Sequence, residues 1–439
     1  MRTLLIRPST PRLYGIGGQS AFPLGLGYIA AVLEKQHDVD VIDAMAEKLS
    51  SNDLKDRILR ACPDIVGITS DTLTFQAAVE VAEIVKRVNR KIIVVVGGAH
   101  SNVLPSYPLK FGCFDISVHG EGERAAIALW DKLDAGEPYE DVAGIAFRRN
   151  GNVVVNPKQE LISDLDSLPM PARHLFPMDK YTSLYSTMGT SRGCPFACSF
   201  CSNNTAWGRK YRFRSSDSVT SEIELLTKRY GIKRLYFRED LFTLNRERVM
   251  DLCDKIKSKG LSIEWECESR VDTVDKNVLT ALKKAGCKLI WFGVESGSQR
   301  ILDVLNKNIS IPQVRETYRL CHDVGLKAGA SFIIGVPGET DEDIKKTSDL
   351  ANEIKPAFTW FNILTGYPTS PLYEHIREHK LYDAELGHGI LIARTEQHSR
   401  CELERIQRRL SRMASLRRIT SGSLNTGNII RFALGMSRR

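Results

Sequence analysis

No apolar run in this 439-residue chain reaches the roughly 18–20 residues needed to cross a bilayer. The opening Met1-Arg-Thr-Leu-Leu-Ile-Arg has a three-residue apolar core and no small-residue cleavage site, so it reads as a first buried strand rather than a secretory signal, and the expected compartment is the cytosol. No Gly-x-Gly-x-x-Gly follows that strand. Gly15-Ile-Gly-Gly18 comes too late and opens no helical pattern, which argues against a nicotinamide-dependent dehydrogenase. Charge of one sign is also scarce outside one segment. Residues 394–439 hold eleven Arg, three Glu and no Lys, which accounts for the whole formal charge of +8; the other 50 basic and 50 acidic residues cancel. A neutral body whose basic tail carries no RNA-binding module predicts no nucleic-acid partner.

Cysteine is sparse except in one place. Seven of the ten (Cys62, Cys113, Cys253, Cys267, Cys287, Cys321, Cys401) are scattered among apolar neighbours and read as small buried hydrophobes. Cys194, Cys198 and Cys201 fall within eight residues, and in a long intracellular chain such clustering points to metal or catalysis rather than disulfides.

The length implies two or three domains. Short apolar runs at residues 4–6, 39–42, 65–68, 92–96 and 115–118 alternate with helical stretches at 24–34 and 74–88, the pattern of a doubly wound parallel sheet. Such sheets bind ligands at the carboxyl ends of their strands. Thr69-Ser70-Asp-Thr72, Gly97-Gly98-Ala-His100 and Gly120-Glu121-Gly122-Glu123 fall at those ends. Residues 144–155 read as a β-hairpin about Asn150-Gly151, followed by a proline-stiffened linker to about residue 177. A second βα series follows, with strands at 185–189, 234–237, 262–267, 289–294, 330–334 and 360–364. The predicted fold is therefore α/β: a Rossmann-like parallel-sheet domain over 1–140, hairpin and linker over 141–180, a partial (β/α)6 TIM-like barrel over 181–372, and a helical, Arg-rich extension over 373–439.

Gly189-Thr-Ser-Arg-Gly-Cys194-Pro-Phe-Ala-Cys198-Ser-Phe-Cys201 follows the first strand of the second series. Thiolates are soft ligands suited to iron–sulfur clusters or zinc. A structural zinc takes four ligands and an electron-carrying cluster normally takes four cysteines; no fourth Cys or His lies near in sequence. Three thiolates on one loop leave one iron of a four-iron cubane open to a small molecule.

This Cys-x3-Cys-x2-Cys loop after a first barrel strand resembles that of the radical S-adenosylmethionine (radical SAM) superfamily. The resemblance implies a 4Fe-4S cluster on Cys194, Cys198 and Cys201. Its open iron would hold the methionine end of S-adenosylmethionine, whose reductive cleavage gives a 5′-deoxyadenosyl radical. It also implies cofactor contacts on later strands: Glu239 and Asp240 at the methionine ammonium, Arg270 at its carboxylate, Glu295 and Ser296 at the ribose, and Gly335 with Glu339 at the adenine. No further side chain is assigned a catalytic role.

The first domain resembles the cobalamin-binding domain fused to many members of that superfamily. The resemblance implies that Thr69, Ser70, Thr72, Gly97, Gly98, His100, Gly120, Glu121 and Gly122 frame cobalamin. None of the nine histidines has an Asp two residues before it, so the Asp-x-His-x-x-Gly motif that supplies a cobalt ligand elsewhere is absent. The expected activity is a cobalamin-dependent radical methyltransferase acting on an unactivated carbon of a small molecule, a lipid or natural-product intermediate among them. An external donor such as flavodoxin or ferredoxin would supply electrons. The alternative is a cyclase, dehydratase or rearrangement enzyme with the same domains and no methyl transfer. The tail, with Ile406, Leu410, Met413 and Leu416 on one helical face among arginines, is a candidate membrane contact.

Overall fold

The computed structural model describes residues 1–9, 21–181, 186–202, 207–386 and 389–420, with side chains to 416. The Gly15–Gly18 segment, the start of the strand read at 185–189 and the apolar stretch 428–436 lie outside the described residues. The chain divides into two compact units, residues 1–187 with 205–208, and 188–204 with 209–439.

In the first unit, β1 (Arg2–Arg7), β2 (Asp38–Asp43), β3 (Ile65–Thr69), β4 (Ile93–Gly97), β5 (Ile116–Val118), β6 (Ile145–Arg149) and β7 (Asn152–Val155) form one sheet in the order β2-β1-β3-β4-β5-β6-β7. The pairs from β2 to β5 are parallel. These strands are apolar on both faces because both faces are covered. Leu4, Ile6, Val66, Ile68, Val94 and Val96 pack with the helices Ser51–Ala61 and Phe75–Val88. Leu5, Val41, Ile65, Val95 and Ile116 pack with Leu24–Leu33 and Gly122–Ala135.

The hairpin, expected within a linker, is instead the end of this sheet: β6 pairs antiparallel with β5, and β7 with β6. The reason is burial at an otherwise open edge. β5 has only three residues, and Ile145, Ala146 and Phe147 beside it are almost fully buried.

The second unit contains β8 (Ser186–Met188, begun in the first), β9 (Ser191–Arg192), β10 (Arg212–Phe213), β11 (Arg234–Phe237), β12 (Glu264–Ser269), β13 (Cys287–Glu295), β14 (Lys327–Ile334), β15 (Phe358–Ile363), β16 (Tyr382–Glu385) and β17 (Leu391–Ala393). Its main sheet runs β15-β14-β13-β12-β11-β8, sequential like an opened barrel. The pairs from β11 to β15 are parallel. Helices start on side-chain caps where the sequence supplies them, with capping boxes Ser310/Gln313 and Thr340/Asp343.

The C-terminal region is not wholly helical. β16 and β17 form an antiparallel pair, and Gly366 bridges to Leu391. The two strands have only four and three residues, and β16 carries Asp383 and Glu385, so the pair gives little strand signal in sequence. The helix Arg400–Thr420 then lies on β15, burying Leu403 and Leu410 and donating from Gln407 Nε2 to the Phe361 carbonyl at 2.7 Å. This helix closes a strand edge that would otherwise present unpaired backbone groups. No helix among the described residues is long and apolar enough to cross a membrane.

Candidate active site

The cysteine loop is set at the carboxyl end of β8 by an acid–hydroxyl clasp. Glu239, at the end of β11, accepts bonds from the Thr190 amide at 3.1 Å, Thr190 Oγ1 at 2.8 Å and Ser191 Oγ at 2.6 Å. Arg248 also bonds Thr190 Oγ1 and donates to the Tyr211 hydroxyl at 3.1 Å. Glu239, expected at a cofactor ammonium, thus already holds the strand that leads into the loop. Asp240 beside it is half-buried and near enough to Cys194 to act on its thiol.

None of the ten cysteines is in a disulfide, and Cys194, Cys198 and Cys201 are each partly exposed. Burial pushes the Cys194 thiol above its usual range, so binding of a soft metal must release that proton. No group of three or more His, Cys, Asp or Glu among the described residues is gathered as for a single metal ion. Three thiols spread along one turn, partly open to solvent, fit a multi-iron cluster to which each gives one sulfur.

Arg270, at the end of β12, is buried against this loop. Its guanidinium lies 3.7 Å above the Phe196 ring, and Nη1 is 3.8 Å from Cys198 Sγ. The bidentate face expected to meet a cofactor carboxylate is taken by Asp272: Nε and Nη2 bond its two oxygens at 2.9 Å each. Nη2 also donates to the Lys307 carbonyl at 2.7 Å.

Glu295 ends β13 in the left-handed region at φ 66, a conformation a non-glycine residue holds only when its surroundings impose it. Its Oε1 is 2.7 Å from Lys307 Nζ, and both side chains are about 93% buried. Gly293 leaves room for this pair, since a Cβ there would overlap the Glu295 carboxylate and lie 2.9 Å from Lys307 Nζ. Ser296 is fully buried and pairs with Thr347 Oγ1 at 3.1 Å while accepting from the Ser298 amide.

Glu339 turns back onto its own loop. Oε2 accepts from the Gly335 amide at 2.6 Å, with Gly335 at φ 81, while Oε1 is buried with no partner among the described residues. Burial raises this acid to about 7. An acid raised in the folded state stabilises the fold below its unfolded value of 4.5, and that contribution is lost as pH rises through about 7. Glu339→Gln, which keeps an acceptor for Gly335, is therefore expected to match the wild type near pH 4.5 and to be more stable by about 2–3 kcal/mol at pH 8. Denaturant melts across that range check it; parallel pH curves would contradict it.

In the first unit, the expected ligand edge is assembled at the ends of β3, β4 and β5. Gly98 has φ 107, and a Cβ there would overlap the Ser70 carbonyl. The Ser70 amide donates to the Gly97 carbonyl, and Ser70 Oγ to the Asp71 carbonyl, both at 2.9 Å. Thr69 is partly exposed at the end of β3, and Thr72 Oγ1 is 3.4 Å from His100 Nδ1. Gly120, at φ 85, donates to Asn102 Oδ1 at 2.5 Å; Glu121 accepts from the Ile162 amide at 2.6 Å, and Gly122 opens the following helix. His100 is fully buried and stacks on Phe75 at 4.2 Å, a packing role rather than a ligand pointing outward. The Ser101 and Ser117 hydroxyls are buried there with no partner among the described residues. Bare glycine backbone beside orphaned hydroxyls fits the approach of a large polar ligand.

An opened βα barrel with a three-thiol loop at its first strand, preceded by a doubly wound sheet with a glycine-lined edge, defines a class of cluster-dependent α/β enzyme with an accessory cofactor unit. Two family models match: the radical SAM superfamily over residues 188–351 and the B12 binding domain over 17–129. An uncharacterised methyltransferase of Pyrococcus horikoshii is 38% identical over 380 residues, covering 85% of this chain and 83% of its own. An anaerobic magnesium-protoporphyrin IX monomethyl ester cyclase of Rubrivivax gelatinosus is 32% identical, covering 86% and 70%. The radical S-adenosylmethionine methyltransferase TsrM of Kitasatospora setae, solved with cobalamin and a [4Fe-4S] cluster bound, shares the fold. Its TM-score is 0.74 at 19% identity, covering 92% of this chain and 81% of that one. The chain belongs to the radical SAM superfamily and carries a B12 binding domain ahead of its barrel.

Two participants escaped sequence reading. Lys307 sits in Leu305-Asn-Lys-Asn308, a loop with no motif of its own, and Asp272 lies two residues from the arginine it captures. Only the second had a usable signal, an acid and an arginine at short spacing after a strand.

Proposed function

We propose that this protein is a cobalamin-dependent radical SAM methyltransferase that places a methyl group on an unactivated carbon of a small molecule. The observation that carries the reading is the partly exposed three-thiol loop at Cys194, Cys198 and Cys201, on the same chain as the glycine-lined edge of the first unit. When bound, the cluster and S-adenosylmethionine supply a carbon radical, and cobalamin supplies the methyl group.

In this reading the three cysteines hold the cluster, and the Glu239 clasp fixes the loop that carries them. Asp240 and Glu295 would face S-adenosylmethionine, while the buried Ser296, Gly335 and Glu339 would shape the turns that line its site. Arg270 orients Cys198 rather than the cofactor carboxylate, because Asp272 occupies its fork. Gly97, Gly98 and Gly120 let the backbone approach cobalamin, while Thr69, Ser70, Thr72, Glu121 and Gly122 shape that edge and His100 packs beneath it. Shielding the bound cofactors from solvent would limit side reactions of the reactive intermediates.

A second reading, oxidative cyclisation without methyl transfer, is favoured by the 32% identity to the cyclase over most of this chain. Anaerobic reconstitution with iron, sulfide and hydroxocobalamin, followed by S-adenosylmethionine and a reductant, separates them. The methyltransferase reading expects near-stoichiometric cobalt, four irons, and both 5′-deoxyadenosine and S-adenosylhomocysteine. Iron and 5′-deoxyadenosine without cobalt favour the cyclase reading; no 5′-deoxyadenosine overturns both.

The reductant is proposed to be an external flavodoxin- or ferredoxin-like protein, in a cytosolic setting; ten cysteines with no disulfide between them support that setting. The basic helix is proposed to meet an anionic lipid surface. Arg405, Arg408, Arg409 and Arg412 are exposed on it beside Met413 and Leu416, the last 61% exposed. Replacing those four arginines by Gln is expected to cut binding to phosphatidylglycerol vesicles at least about tenfold, at roughly 1 kcal/mol per cation near the surface. Cosedimentation at low and high salt checks it, and unchanged binding sinks the lipid contact.

A further inference from the structure

Lys307 is a charged side chain buried beside the cysteine loop, and none of the expected cofactor contacts includes it. It takes part in three connections at once. Its Nζ holds Glu295 Oε1 at 2.7 Å, and its carbonyl receives Arg270 Nη2 at 2.7 Å. The other arm of Arg270 reaches Cys198 Sγ at 3.8 Å. The ammonium also lies 5.9 Å from the centre of the Phe200 ring, next to Cys201.

The backbone around Lys307 is locked to the same loop. Asn306 Nδ2 donates to the Ala197 carbonyl at 2.7 Å, and the Ser199 amide donates to the Leu305 carbonyl at 2.9 Å. Ser199 Oγ donates to the Val304 carbonyl at 2.9 Å. Asn306 and Asn308 flank the lysine in the left-handed region, at φ 47 and 54, so the segment is a shaped turn rather than a helix end that drifted there.

A buried ion pair seldom stabilises a fold more than apolar side chains of the same volume would. This one also coincides with a left-handed glutamate and a glycine that makes room for it. That combination fits a carboxylate held in one pose, with Oε1 taken by the lysine and Oε2 without a protein partner among the described residues.

We propose that Lys307 is a positioning residue that fixes the Glu295 carboxylate for the cofactor ribose and, through Arg270, ties that pose to Cys198. Cluster loop and ribose contact are then one mechanical unit: occupying one stiffens the other. The inference rests on the radical SAM reading of the site and concerns only how its residues cooperate.

The test uses the full-length protein with its cluster reconstituted anaerobically. S-adenosylmethionine is titrated against the reduced-cluster EPR signal in wild type, Lys307→Met, Lys307→Arg, Glu295→Gln and the Lys307→Met/Glu295→Gln pair. Iron content and cluster midpoint potential are measured alongside. The expected result is wild-type iron content in every variant and affinity at least about tenfold weaker in Lys307→Met and in Glu295→Gln. The double variant should be no weaker than either single one, and Lys307→Arg should recover part of the loss, because coupled residues are not additive. The double variant also removes both buried charges, so it folds even where Lys307→Met leaves the acid uncompensated. Losses that add, or a Lys307→Met protein that binds like wild type, overturn the inference while leaving the functional reading intact. A wild-type signal that ignores S-adenosylmethionine overturns the functional reading and the inference with it.

Discussion

A Cys198→Ala protein is expected to lose its cluster and to release no 5′-deoxyadenosine above background, while its apo form melts within about 1 kcal/mol of wild type. The thiol is partly exposed on a loop, so little packing is lost with it. What disappears is a ligand that no neighbour replaces, since no group of metal-binding side chains is gathered elsewhere among the described residues. Cys253→Ala supplies the contrast. That thiol is fully buried in the barrel core, and burial holds it at about 12, unsuited to metal. Its loss should cost about 1–2 kcal/mol and leave iron and cleavage unchanged. Iron analysis, product chromatography and denaturant melts on the two variants decide the matter. Retained iron and cleavage in Cys198→Ala would sink the assignment of the loop.

Gly98→Ala should damage the first unit as selectively as Cys198→Ala damages the second. The added methyl meets the Ser70 carbonyl, which is backbone and cannot swing aside, at a φ of 107 that alanine rarely adopts. A destabilisation of about 2–4 kcal/mol is expected, with cobalt retention lost and iron retained. The neighbouring Gly97→Ala is the internal control. Its Cβ would meet Val118 at 3.7 Å, an ordinary contact, so a cost below about 1 kcal/mol is expected. If the two alanines behave alike in melting, the steric reading of the β4 end is wrong.

The strands and the thiol loop were legible because their signals are local. Runs such as Ile-Val-Val-Val at the start of β4 and the spacing of Cys194, Cys198 and Cys201 need no knowledge of the rest of the chain. Glu239, Arg270 and Glu295 were legible as polar residues at strand ends, but not in their engagements. Which partner an arginine chooses depends on what folding brings within 3 Å, and Asp272 and the Lys307 carbonyl outcompete any reading of Arg270 alone. Lys307 had no signal, because one lysine in a polar loop is ordinarily solvated; its burial comes from the turn at Asn306 and Asn308. The attachment of the hairpin to β5 was hidden for a related reason, since the sequence gives strand character but no neighbour.

The helix Arg400–Thr420 on β15 has a consequence for synthesis of the chain. Translation delivers β15 some forty residues before Leu403, Gln407 and Leu410 that cover its edge. During that interval the nascent barrel presents a ladder that another β15, on a neighbouring ribosome, can pair with. Slow decoding between residues 364 and 400 would lengthen the interval and lower soluble yield, and rapid decoding there would raise it. The timing of elongation thus becomes part of the folding problem for this protein.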